Sequence, residues 1–348
     1  MSVSSAAAAV DARLQELSSL VDGWTRAEVA RVGGRDSALM PLLEYHLGWR
    51  DAGLHPLAVP APSGKKLRSG LALLVCESVA GEVAPARDAA VAVELVHNFS
   101  LVHDDIQDHS DTRRHRPTVW SIWGMEQGIN VGDALFALAQ ATIVGVRTAE
   151  RAAQAADLAR ACLLLAEGQY LDLELQRGAL PLTPDAYLGM IERKTGALFA
   201  CACRLGARAA GAGEARCDAF ADYGLALGVA FQEQDDVLGV WGNEAETGKP
   251  AAADVVSRKK ALPAALALAR ADAPAWLRGA YAGQGDLSPT VVAQVIAFFD
   301  ASGIRVEAEQ RVAVHYQAAL AALDAAAPTG PAAAHLRAVC DLLLRRRA

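Results

Sequence analysis

The chain has 348 residues, enough for a large core and, on length alone, for one or two domains. Its 33 Lys and Arg against 40 Asp and Glu leave a net charge of −7. The two signs are interspersed, which argues against a nucleic-acid groove. Hydrophobic residues make up 53% but aromatics only 5%, so Ala, Leu and Val carry the apolar content and an all-α protein is expected.

The opening stretch MSVSSAAAAVDARL lacks the basic segment and apolar core of a secretory signal, so a cytoplasmic location is expected. Leu14, Leu17, Leu20 and Val21 recur at helical spacing, which continues nearly throughout, with no convincing alternating strand pattern. Gly33-Gly34, the Pro-rich His55–Gly64 and Gly81–Pro85 interrupt the helices. Lys65, Lys66 and Arg68 follow the second break, in SGKKLRSG.

The most informative stretch is ELVHNFSLVHDDIQDHSDTRRHRP, Glu94–Pro117, in which an apolar helix turns acidic and then basic. Leu95, Phe99, Val102 and Ile106 form a core-facing row. Asp104 and Asp108 share another face, with Asp105 adjacent and His97 two turns earlier. Three carboxylates at a helix C-terminus repel one another and the helix dipole, so a cation is expected there. Hard oxygen donors suit Mg²⁺, which bridges carboxylates to substrate phosphates. A solvated acidic turn is the ordinary alternative. His103, His109 and His115 do not repeat on one helical face, which argues against a zinc site.

Beyond a predicted loop at His109–Pro117, Trp120 and Trp123 read as packing anchors. Thr183-Pro184-Asp185 is a helix start. Lys194 stands in ERKTG, and the apolar run Ala197–Ala212 is broken by Arg204 and Arg208, so no membrane span is expected. The six cysteines, Cys76, Cys162, Cys201, Cys203, Cys217 and Cys340, lie in apolar surroundings without CxxC spacing and read as reduced thiols. FQEQDDVLG then ends a second apolar helix with Asp235 and Asp236, and Gln232 and Gly239 share their face. Two such acidic ends can face each other across a helical bundle and hold metal ions between them. Lys249 in TGKP and Lys259-Lys260 in SRKK complete a set of cations suited to a diphosphate substrate. Arg345-Arg346-Arg347 reads as a solvated terminus. No linker separates two cores, so residues 1–348 are read as a single domain.

From about Gly64 to Leu262 the sequence resembles the trans-isoprenyl diphosphate synthases, or polyprenyl synthetases: GKKLR, HNFSLVHDDIQD, DTRRHRPT, GQYLDLE, ERKTGALF, FQEQDDVLG and TGKP occur in that family's order and spacing. The resemblance implies a single-domain antiparallel helical bundle around a central elongated cavity, and a homodimer. It makes Asp104 and Asp108 Mg²⁺ ligands supported by Asp105, and Asp235 the ligand of a further ion, for three ions with bound diphosphate. By the same resemblance Arg113, Lys194, Lys249 and Lys259 grip the allylic diphosphate. Lys65, Arg68, His97 and Arg114 form the isopentenyl diphosphate site, and Thr195 and Gln232 steady the ionising allyl group. The implied reaction is head-to-tail prenyl transfer.

Three positions depart from the family pattern: Gly239 where a third aspartate is usual, His115 where glycine is usual, and Ala261 where threonine is usual. Phe99, five residues before Asp104 and beside the small Ser100, resembles the floor residue of an enzyme making geranylgeranyl diphosphate (C20), with C15 and C25 as alternatives. A class I terpene cyclase needs no second diphosphate site, so Lys65, Arg68 and His97 argue against it. Retention of both aspartate clusters argues against a non-catalytic subunit of a heteromeric synthase.

Overall fold

The computed structural model describes residues 3–34, 37–145, 148–242 and 251–344. In chain order its helices are α1 (Val3–Val32), α2 (Met40–His46), α3 (Leu67–Ala80), α4 (Arg87–Gln107), α5 (Val119–Trp123), α6 (Met125–Val144), α7 (Ala149–Arg177), α8 (Pro184–Ile191), α9 (Ala197–Ala209), α10 (Glu214–Trp241), α11 (Ala253–Val256), α12 (Leu262–Ala269), α13 (Ala275–Ala282), α14 (Pro289–Ala301), α15 (Ile304–Ala326) and α16 (Gly330–Leu344). The protein is all-α, as its composition implies. Among the described residues there is also a two-residue antiparallel ribbon, β1 (Thr112–Arg113) against β2 (Arg116–Pro117), within the stretch expected to be loop. Strands this short carry too few residues for side-chain alternation to be visible.

The chain forms two compact units, one of Met1–Ala159, Ala202–Cys217 and Pro328–His335, the other of Arg160–Cys201, Asp218–Ala327 and Leu336–Ala348. In the first unit α4 packs on α1, α3 and α6. Its N-terminal half, Ala89–Val96, is buried all round, as befits an apolar central helix. Only its last two turns, from His97 onward, become one-sided, with Val102 and Ile106 inward. The acidic motif thus stands at the end of a rigid, deeply packed rod.

The second unit is built around Leu175, Tyr187, Val237, Leu262, Phe299 and Val312. Thr183 caps α8 as its sequence implies, its hydroxyl accepting from the Ala186 N–H at 3.1 Å with Pro184 in the first turn. Between α8 and α9 the residues ERKTG form a π-helical turn, Glu192–Gly196. All six cysteines are free and buried.

Candidate active site

In the first unit the acidic end of α4 is met by the β1–β2 ribbon. Asp105 is buried and accepts from Arg113 Nε at 2.7 Å. Asp104 is half-buried and Asp108 exposed. Burial pushes the Asp105 carboxyl up to about 6; Arg113 opposes the shift, and the neighbouring charges of Asp104 and Asp108 add to it. Arg113 reaches Asp105 because Arg114 and His115 at the ribbon's tip both have positive φ, 51° and 59°, the geometry of a tight hairpin turn. The position where glycine is usual in the motif is therefore a left-handed one here, filled by histidine.

A cationic neighbourhood surrounds His97. Its imidazole is held well below the ordinary range, first by burial and then by the charges of Arg68, Arg114 and Arg113. His46 is pushed down to about 3 by burial, with Arg114 and Arg113 again contributing. A pocket here is lined by Tyr45, His46, Asp105, Arg113, Arg114 and Thr118, among others. Lys65 is exposed, 3.8 Å from Asp11, whereas Lys66 is buried and paired with Asp22 at 3.1 Å and Glu94 at 3.7 Å. Of the two adjacent lysines, the second is thus a structural cation. The Phe99 ring lies against His103 and Phe136, centroids 5.1 and 5.3 Å apart. The Ser100 hydroxyl is tied to the His97 carbonyl at 2.8 Å.

The second unit gathers another set. Lys194, in the π-helical turn, donates to Asp172 at 2.5 Å. Burial alone would raise the Asp172 pKa, but Lys194 and Gln176 hold it below the ordinary range. The turn is seated on α7: a methyl group on Gly168 would come within 2.6 Å of the Lys194 Cα. Thr195 Oγ1 donates to Gln232 Oε1 at 3.0 Å, and Gln232 Nε2 donates to Asp236 Oδ1 at 3.1 Å. Asp236 is buried and also accepts from Tyr187 Oη at 2.5 Å, the Leu262 N–H at 3.0 Å and Lys259 Nζ at 3.2 Å. Its carboxylate is a structural hub, while Asp235 beside it is exposed. Lys249 and Arg345–Arg347 lie outside the described residues.

The structure thus brings Asp104, Asp105, Asp108, Arg113 and Arg114 together in one unit, and Lys194, Thr195, Gln232 and Lys259 in the other. Asp172 and Asp254 were not singled out as site residues from sequence, and Asp236 was read only as part of the second acidic end. Asp172 sits inside the quoted GQYLDLE, where a single carboxylate on an amphipathic helix looks like ordinary solvated surface. Among the described residues no three His, Cys, Asp or Glu side chains form a metal cage. Asp104 and Asp108 one turn apart, and Asp235 in the other unit, offer partial oxygen donor sets. Such sets fit a Mg²⁺ ion that keeps waters and takes phosphate oxygens, rather than a metal enclosed by protein.

An all-α chain with paired aspartates near the ends of apolar helices, Arg113 ion-paired to Asp105 and Lys259 to Asp236, fits the class of enzymes that handle anionic substrates. The polyprenyl synthetase family model matches residues 56–298, and the chain belongs to that family. It is 38% identical over 310 residues to a geranylgeranyl diphosphate synthase of Mycobacterium tuberculosis, covering 88% of this chain and 87% of that one. It is 40% identical over 228 residues to a (2E,6E)-farnesyl diphosphate synthase of Mycobacterium bovis, covering 66% of this chain and 63% of that one. A crystal structure of a polyprenyl synthetase from Streptomyces coelicolor A3(2) superposes with a TM-score of 0.86 at 34% identity, over 96% of this chain and 99% of that one. The fold is that of the helical isoprenoid synthases, and the chain is a prenyltransferase, a prenyl diphosphate synthase. No described helix is long and apolar enough to cross a membrane.

Proposed function

We propose that the enzyme condenses isopentenyl diphosphate with an allylic prenyl diphosphate, head to tail and with Mg²⁺, to give geranylgeranyl diphosphate. The observation that carries the product length is Phe99. Its large ring stands on the same helix face as the core row, five residues before Asp104, packed against Phe136 and His103, with the small Ser100 next to it in sequence. A growing tail stops where a bulky side chain meets it. Asp104, Asp108 and Asp235 are the residues that would hold magnesium, which when bound neutralises charge on the diphosphate. Lys194, fixed by Asp172, and Arg113, fixed by Asp105, bind and orient the allylic diphosphate alongside Lys249 and Lys259. Thr195 and Gln232, hydrogen-bonded to each other, place their dipoles beside the ionising allyl group. Lys65, Arg68, His97 and Arg114 hold isopentenyl diphosphate, whose double bond attacks the carbocation, and the released diphosphate takes the final proton. No protein nucleophile is needed; charge and positioning carry the rate.

In this proposal the enzyme acts as a single functional domain and as a cytoplasmic homodimer. Support for the dimer comes from α6, which leaves the large apolar side chains Met125, Ile129, Phe136 and Val144 exposed. The deciding experiment is product analysis with labelled isopentenyl diphosphate and C5, C10 or C15 starters. Accumulation of C20 from each starter is expected. A C15 product, as the farnesyl relative's name would suggest, overturns the length assignment. A hydrocarbon formed from the allylic substrate alone overturns the transferase reading.

A further inference from the structure

The two acidic motifs can be aligned position for position: Asp104-Asp105-x-x-Asp108 and Asp235-Asp236-x-x-Gly239. They differ at the fifth position, where the second has no side chain. The space is not vacant. A methyl group built on Gly239 would come within 2.5 Å of the Asp254 Cγ and 3.1 Å of its Oδ1, so the carboxylate of Asp254, from α11, occupies the volume in which a side chain at 239 would begin. Asp254 is buried, and its Oδ2 accepts from Lys259 Nζ at 3.2 Å, the same distance at which Lys259 meets Asp236 Oδ1. The ammonium is thus suspended between a carboxylate of the motif and one from outside it. An ammonium has three N–H donors; these two contacts use two of them and fix the direction of the third.

We propose that Asp254, entering the gap left by Gly239, is the positioning residue that orients Lys259 toward the substrate diphosphate. The carboxylate absent from the fifth position of the second motif is thereby supplied from α11. Gly239 is then a requirement of this chain rather than a loss: any side chain there displaces Asp254. Asp236 alone does not orient the lysine, because its oxygens are shared with Tyr187, Gln232 and the Leu262 N–H. The burial of Lys259 would favour its neutral form, but Asp236 and Asp254 more than offset this and hold the proton on.

The inference rests on the diphosphate-transfer reading of the same site, so the test carries two independent readouts. The first is the dissociation constant of a non-ionising thio analogue of geranyl diphosphate with Mg²⁺, measured calorimetrically. The second is the rate of Lys259 acetylation, followed by peptide mass spectrometry on the intact enzyme. In near-isosteric Asp254→Asn the analogue should bind about ten- to a hundredfold more weakly, and Lys259 should acetylate about fivefold faster as its proton is held less tightly. Gly239→Ala should do the same by pushing Asp254 aside. The double variant Gly239→Asp/Asp254→Ala, which returns a carboxylate to the gap from the other element, should recover to within about threefold of wild type, a coupling that a merely structural role would not produce. Wild-type binding and acetylation in Asp254→Asn overturn the proposal, as does a double variant that melts like wild type but binds no better than Asp254→Asn. If the wild-type enzyme bound the analogue but elongated nothing while the acetylation pattern held, the transferase reading would fall and the lysine's positioning would stand.

Discussion

Two kinds of histidine divide the pH behaviour of the protein. His46 and His97 sit where burial and neighbouring guanidinium groups disfavour a second positive charge. In the unfolded chain the same imidazoles take up protons near 6.5, so the folded state binds fewer protons and stability falls as the pH drops below that value. His315 has the opposite sign: its Nδ1 is 2.7 Å from the buried Glu233, which raises its pKa. Its contribution is complete below 6.5 and is lost as the pH rises through the folded value. An NMR titration of the ring signals should show His46 and His97 without a protonation step between about pH 8 and pH 5, and His315 titrating above 6.5. A His97 step near 6.5 would contradict the cationic neighbourhood assigned to it. None of this was readable from residue type, because His97 on its helix face looks the same whether guanidinium groups or carboxylates surround it.

At the scale of elements, the acidic end of α4 was legible because the switch from apolar to charged residues occurs inside one helical period, and the helix ends at Gln107 with Asp108 as its cap. The π-helical turn at Glu192–Gly196 was not, since ERKTG carries no proline and no unusual composition to mark a widened turn. What holds that turn is a neighbour remote in sequence: α7 approaches so closely at Gly168 that a side chain would strike the Lys194 backbone. Gly168→Ala is therefore expected to displace Lys194 and cut kcat/KM by about a hundredfold, with a smaller effect on the melting temperature; unchanged kinetics would remove the turn from the site. The ribbon offers a test of opposite sign. His115 occupies a left-handed conformation at φ 59°, so His115→Gly should stabilise the protein by about 1 kcal/mol, seen as a rise in the urea midpoint at constant slope. A fall would mean that the imbalance in backbone strain is outweighed by contacts of the imidazole.

For the molecule as a whole, composition and helical periodicity were sufficient for the fold class, and the order of motifs was sufficient for the family. The division into two compact units left no mark in the sequence because α7, α9, α10 and α16 each contribute residues to both. With continuous helices in place of a linker, there is no shift in composition to detect. Product length is also a property at this scale, and Phe99→Ala is expected to lengthen the products by removing the ring braced on Phe136; an unchanged distribution would mean that the tail ends elsewhere. The proposed mechanism has aspartates at the ends of packed helices act through magnesium. The most direct measurement is the magnesium dependence of prenyl elongation in wild type and in Asp104→Ala, with the melting temperature of each. Wild type should be silent in chelator and active with magnesium, and Asp104→Ala should lose about a thousandfold or more in turnover while melting like wild type. Elongation that persists in chelator, or a near-normal rate in Asp104→Ala, would contradict it.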